Sequence, residues 1–174
     1  MSTSTEWYDV VIEVLKRNEV KLVTYVPDNV LSPLISRLHE DPYFTVYCPA
    51  REEEAVAIVT GAYMAGLRGI VLMQTSGFAT LPNVLASLVR PYQIPLLMMI
   101  SERGTMGDHQ LGQVMVCRTM VPILNSMGIE THRMTALADL DFMVDGMIRQ
   151  AFSTQEAAAM LLSPLLTKKR SKEQ

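Results

Sequence analysis

Only two cysteines, Cys48 and Cys117, occur among the 174 residues, and they stand far apart. They offer neither a metal-binding spacing nor a disulfide framework. A disulfide-stapled secreted domain is excluded, and a cytoplasmic protein is expected. Charge is scarce as well. Asp, Glu, Lys and Arg make up 19% of the chain, low for a free-standing soluble monomer, and the net charge is −3. That leaves no electrostatic basis for nucleic-acid binding. No apolar run reaches the roughly 18 residues that a membrane-spanning helix needs. No secretory signal is read at the start, and no internal repeat or low-complexity segment is present.

What is abundant is apolar surface. Hydrophobic residues form 49% of the chain, ample for the core of one domain. Thirteen methionines point to a deformable core or a wide partner surface. Residues 1–5 read as a disordered Ser/Thr leader with Thr5 able to cap a helix. Residues 6–163 read as one domain and 164–174 as a polar, basic tail. Trp7, Val10, Val11, Val14 and Leu15 recur at helical spacing, as do Leu31, Leu34, Ile35 and Leu38. Short apolar runs predict strands at Leu22–Val26, Phe44–Cys48, Gly69–Gln74, Ile94–Ile100 and Ile129–Arg133. A helix is expected from Glu52 to about Gly66, another around Leu81–Leu88, another around Met120–Met127, and one over Leu140–Ala151 that continues through 153–162. This alternation predicts an α/β fold, a parallel sheet with helices on both faces. Ligands of such sheets bind beyond the carboxyl ends of the strands. The loops at those ends begin at Pro27, Pro49, Thr75 and Ser101, and they carry the unusual polar residues.

The centre of the chain is the turn Pro49-Ala50-Arg51-Glu52-Glu53-Glu54 and the helix after it, whose Ala55, Ala57, Gly61, Ala62 and Ala65 give it almost no bulk. Carboxylates in the first turn of a helix suit its dipole, so capping and solvated charge account for Glu53 and Glu54 as readily as a site does. The Gln74-Thr75-Ser76-Gly77 turn reads either as an ordinary strand-to-helix turn or as a place where Gly77 lets the backbone pass close to a ring. Asp28 serves equally well as a plain N-cap. Arg51 has two possible partners, the acidic turn or a substrate.

Two runs carry a family resemblance. Glu52, Ala55, Val56, Ala57 and Gly61 form the first. Leu72-Met73-Gln74-Thr75-Ser76-Gly77 with Leu81, Asn83, Leu85-Ala86-Ser87-Leu88 forms the second. In this order, across roughly residues 8–150, they resemble the pyrimidine-binding (PYR) domain of thiamine-diphosphate-dependent decarboxylases. The branch is that of the sulfopyruvate decarboxylase alpha subunits and the phosphonopyruvate decarboxylases. The resemblance implies a flavodoxin-like three-layer domain. It gives Glu52 the task of sharing a proton with the cofactor's aminopyrimidine, with Glu54 as runner-up. Gln74, Thr75, Ser76 and Gly77 would face the cofactor. Asp28 would take part in proton transfer. The loop with Arg103 and His109 departs more from the family pattern; there the planar fork of Arg103, with Asn29, would offer donors to a substrate anion, and His109 would add a donor or move a proton.

In this family the diphosphate is held through Mg²⁺ by a second domain opening on Gly-Asp-Gly. Gly107-Asp108-His109 is not that motif, and Asn125 falls too early to complete it. No metal ligand is expected on this chain. A beta-type partner subunit would supply the diphosphate and Mg²⁺ half, in an even-numbered alpha/beta assembly. The contrasting expectation is a non-catalytic flavodoxin-like module that binds a partner and no cofactor.

Overall fold

A computed structural model describes residues 5–168. Six strands form one sheet: β1 (Val20–Tyr25), β2 (Thr45–Tyr47), β3 (Arg68–Gln74), β4 (Leu97–Ser101), β5 (Glu130–Met134) and β6 (Ala158–Leu162). Their order is β2-β1-β3-β4-β6-β5, and every pairing is parallel. The long helices are α1 (Trp7–Arg17), α2 (Ser32–Glu40) and α3 (Glu52–Met64). Short turns α4 (Thr75–Phe78) and α5 (Pro82–Val84) follow, with a π-helical turn over Leu85–Val89. A 3-10 turn at Leu111–Gln113 then leads into α6 (Val114–Ser126), α7 (Leu137–Thr154) and the short α8 (Pro164–Thr167).

The central strands explain why the pattern was readable. In β3, β4 and β6 the interior positions are buried on both faces, as parallel strands covered by helices must be. Successive side chains then point to opposite layers. Leu97 and Met99 pack in the layer of α1, α2 and α7, while Met98 and Ile100 pack in the layer of α3, α5 and α6. The expected three-layer arrangement is thus observed. The edges are blunted: β2 has three residues and β5 carries Glu130, His132 and Arg133, which discourages further strand pairing. The methionines divide as well. Met73, Met98, Met99, Met120, Met134, Met147 and Met160 are buried, and Met64, Met106 and Met115 are exposed.

Residues 153–162, expected to be helical, are corrected by the structure. Gln155 adopts a left-handed φ of 56° and ends α7. Ala158–Leu162 then enters the sheet between β4 and β5. The Ala-rich run has high helix propensity, but a place between two strands overrides it. A short apolar run cannot distinguish buried helix from buried strand. At the amino end, Glu6 rather than Thr5 occupies the cap of α1, and the Asp9 carboxylate accepts from the Glu6 N–H at 3.2 Å. Residues 1–4 of the expected leader and 169–174 of the expected tail lie outside the described residues. Residues 164–167, also assigned to that tail, instead form α8, where Ser163 Oγ accepts from the Leu165 N–H at 3.2 Å.

One polar network ties α1 to α7. Asp145 accepts from Asn18 Nδ2 at 2.8 Å, Arg17 Nε at 3.0 Å and Arg149 Nε at 2.7 Å, and Asp141 takes the other edge of Arg17. The Asn18 hydrogen bond, helped by Arg17, holds the Asp145 carboxyl below its usual range. Arg17 does the same for Asp141. A lowered carboxylate pKa stabilises the fold above its unfolded value, and that stability is lost as pH falls through the folded value. Urea midpoints should therefore decline below about pH 4, and Asp145→Asn should flatten the decline. An unchanged acid limb in that variant would remove the network from the acid response.

Candidate active site

The chain turns left from β1 to β2 and right from β2 to β3, so the order of strands reverses at the β1/β3 junction. The loops after β1 and β3 meet at that switch point, the usual crevice of such sheets. Helix α3 points its amino end at the same place. Thr24 of β1 donates to the Ala55 carbonyl at 3.1 Å and pins the first turn of α3. Ala55, Val56, Val59 and Thr60 are buried against the sheet. The small residues Ala57, Gly61 and Ala65 face outward.

The three glutamates separate cleanly. Glu53 pairs with Arg51 at 3.2 Å. Its own backbone N–H, and after it Arg51, keeps the Glu53 carboxyl below its usual range. Glu54 accepts from the Ala50 N–H at 3.1 Å, in the turn just before the helix. Arg51 thereby takes the acidic turn as partner. Glu52 is half-buried, and among the described residues its carboxyl has no hydrogen bond or ion pair. It lies instead on the bare Cα of Gly77. A methyl group there would stand 2.7 Å from Glu52 Cδ and 2.8 Å from Cγ. Gly77 is helical and needs no unusual backbone angle, so this close approach is what requires glycine.

The residues around Gly77 form a connected floor. Thr75 is buried; its hydroxyl donates to the Ser101 carbonyl at 3.0 Å and accepts from the Arg103 N–H at 2.9 Å. It stitches the carboxyl ends of β3 and β4 together. Gln74 and Ser76 are bridged by Gln113 Nε2, at 3.1 and 3.3 Å. Gln113 Oε1 is buried without a hydrogen-bond partner. Nothing in the local sequence marked Gln113, which sits at the start of α6, 37 residues from Ser76.

Asp28 is buried and fully engaged. Its Oδ1 accepts from the Val30 N–H at 2.9 Å, the Leu31 N–H at 3.1 Å and Ser101 Oγ at 2.9 Å. Its Oδ2 meets Arg103 Nη1. Asp28 is thus not the N-cap of α2, a position that Leu31 holds; it ties the turn leading into that helix and makes a long-range ion pair as well. Arg103 also donates through Nε to the buried Asp108 at 2.9 Å, so two carboxylates hold its fork. Asn29 is exposed and forms no hydrogen bond among the described residues, and His109 is likewise exposed and unpartnered. Glu102 is buried and held by Arg133, whose Nη2 lies 2.8 Å away. His39 and His132 are on the surface, beside Tyr25 and Glu130.

Among the described residues no group of three or more His, Cys, Asp or Glu side chains is placed to hold a metal. No helix there is long and apolar enough to cross a membrane.

Comparison with known proteins adds lineage to this geometry. No family model matches the chain. Over 148 residues it is 32% identical to the sulfopyruvate decarboxylase subunit alpha of Methanothermobacter thermautotrophicus, covering 85% of this chain and 90% of that one. Over 101 residues it is 34% identical to the phosphonopyruvate decarboxylase of Streptomyces viridochromogenes, covering 55% of this chain and 25% of that protein. Among solved structures, the 2-oxoglutarate:ferredoxin oxidoreductase of Magnetococcus marinus superposes with a TM-score of 0.72 over 94% of this chain and 29% of that one. At 14% identity that likeness speaks for the fold alone.

Proposed function

Because this chain belongs to the family of sulfopyruvate decarboxylase alpha subunits, we propose that it is the pyrimidine-binding half of a thiamine-diphosphate-dependent decarboxylase that converts sulfopyruvate to sulfoacetaldehyde and CO₂. The observation that carries the reading is Glu52. Of three consecutive glutamates, it alone has no internal partner, and it lies over a glycine at the switch point of the sheet. A carboxyl held there at a cost to solvation, with no hydrogen bond or ion pair among the described residues, is poised for an external donor or acceptor. The unpartnered Gln113 Oε1 is a second waiting group on the same floor. Both suit a flat ring that carries donors and acceptors, as an aminopyrimidine does.

When bound, the cofactor supplies a nucleophilic carbon and an electron sink for the departing carboxylate. The residues of the chain do the rest. Glu52 would hold a ring nitrogen of the cofactor and share a proton with it, as general acid–base catalysis requires. Gly77 keeps the approach to that carboxyl open. Gln113, through Gln74 and Ser76, fixes the floor. Asp28, Ser101 and Arg103 lock the neighbouring loops so that these groups hold still.

The diphosphate and Mg²⁺ are assigned to a beta-type partner subunit, on the family pattern. Exposed apolar side chains beside the site support such a partner. Leu111 is 90% exposed, Met106 77% and Met115 67%, on the loop and first turn of α6 next to Gln113. A cluster of this kind marks an interaction surface. Phosphonopyruvate is the second reading, since it offers the same 2-oxo acid and another tetrahedral anion. The test is reconstitution. The chain and its cognate partner, mixed with thiamine diphosphate and Mg²⁺, should release CO₂ from sulfopyruvate, and neither alone should do so. Failure of the mixture to decarboxylate any 2-oxo acid would sink the proposal.

A further inference from the structure

A substrate with a second anion needs a cation to receive it, and Arg103 is already occupied. Its Nε serves Asp108 and its Nη1 serves Asp28. Lys168 Nζ lies 3.7 Å from the same Asp108, so two cations face two carboxylates and the cluster has no surplus positive charge for an incoming anion. Farther along α6 an unbalanced cation stands. Among the described residues Arg118 is the one arginine with no hydrogen bond or ion pair. Every other has a partner. Arg118 is exposed and lines an open cleft of about 490 Å³ with Thr105, His109, Cys117 and Arg133, and with Asp108, whose charge Arg103 and Lys168 already balance. His109 is free of partners, and Arg133 commits Nε and Nη2 to Glu102, leaving Nη1 outside that pair.

The cleft adjoins the floor described above. Gln113 touches Gln74 and Ser76, and the next residue, Val114, lines the cleft together with Arg118. The loop that forms the lip is seated on the same helix start. Gly104, at φ +75°, packs so closely on Gln113 and Val114 that an added Cβ would stand 2.6 Å from the Val114 nitrogen.

We propose that this cleft receives the second anion of the substrate, a sulfonate or phosphonate on a short 2-oxo acid, with Arg118 as its principal donor and Thr105 and His109 beside it. The guanidinium fork suits a tetrahedral oxyanion. The proposal rests on the decarboxylase reading, so its test needs a readout besides turnover. Cys117 provides one, because it lines the same cleft and is half-buried, with its thiol pushed up by that burial.

The experiment uses the reconstituted complex, unaltered and with Arg118→Ala or Arg118→Lys. In R118A the KM for sulfopyruvate should rise about tenfold or more, the value of a charged hydrogen bond. The kcat and the affinity for thiamine diphosphate should hold, and R118K should fall between. Sulfoacetate should slow iodoacetamide labelling of Cys117, read by mass, in the unaltered complex and not in R118A. An unchanged KM in R118A overturns the inference and leaves the decarboxylase reading intact. If the complex does not act on sulfopyruvate at all, the labelling decides alone. Protection that R118A abolishes upholds the anion site, and absence of protection in the unaltered complex overturns it.

Discussion

Replacing Glu52 by glutamine should lower kcat of the reconstituted complex by about 10²–10⁴-fold, the usual contribution of a positioned acid–base group. Glutamine keeps the shape and a carbonyl acceptor but cannot share a proton in the same way. The fold should barely notice. Glu52 makes no internal hydrogen bond among the described residues, so only the helix-dipole contribution is lost, at most about 1 kcal/mol. For a chain of this size that shifts Tm by about 2–4 °C at most. Glu53→Gln and Glu54→Gln are the controls. They alter the same dipole but touch Arg51 and Ala50, and their turnover should stay within about twofold. Gly77→Ala probes the same contact from the other side. Its methyl group would displace the Glu52 carboxyl, and a misplacement of about 1 Å can cost on the order of 10²-fold in rate. If the E52Q complex turns over sulfopyruvate at the unaltered rate, the carboxyl has no part in the chemistry.

The sheet was legible because parallel strands covered on both faces appear as unbroken apolar runs. Gly69–Gln74 was expected and Arg68–Gln74 is observed, a shift of one residue. The last strand was not legible because Ala157, Ala158 and Ala159 favour helix locally, and only the slot between β4 and β5 makes them extended. The site divides along the same line. Alternating strands and helices send the loops after β1, β3 and β4 to one end of the sheet, so Asp28, Gln74 and Arg103 could be gathered from order alone. Their mutual engagement could not. The Asp28–Arg103 pair spans 75 residues, and which carboxylate an arginine meets depends on strand register, which no local pattern encodes. Gln113 was missed for the same reason. Arg103 therefore read as a free fork, whereas the fold closes it between two aspartates.

That closure makes a second large prediction. Arg103→Ala should destabilise the chain by about 3–5 kcal/mol, the cost of breaking a buried ion pair by removing one partner. The carboxylates left behind are well buried, with side chains 1% exposed for Asp28 and 4% for Asp108. They are not equally harmed. Asp28 retains three donors, from the Val30 and Leu31 backbone and from Ser101. Asp108 retains a backbone N–H of Gly104 at 3.5 Å and Lys168 at 3.7 Å. The larger penalty therefore falls on Asp108. Adding Asp108→Asn to the Arg103→Ala chain should recover more stability than adding Asp28→Asn, and urea unfolding of the single and double variants measures both. A side chain reserved for substrate would behave in the opposite way. Its removal would leave the unfolding midpoint in place and raise KM, and that result would return Arg103 to the anion-binding role and dissolve the structural trio.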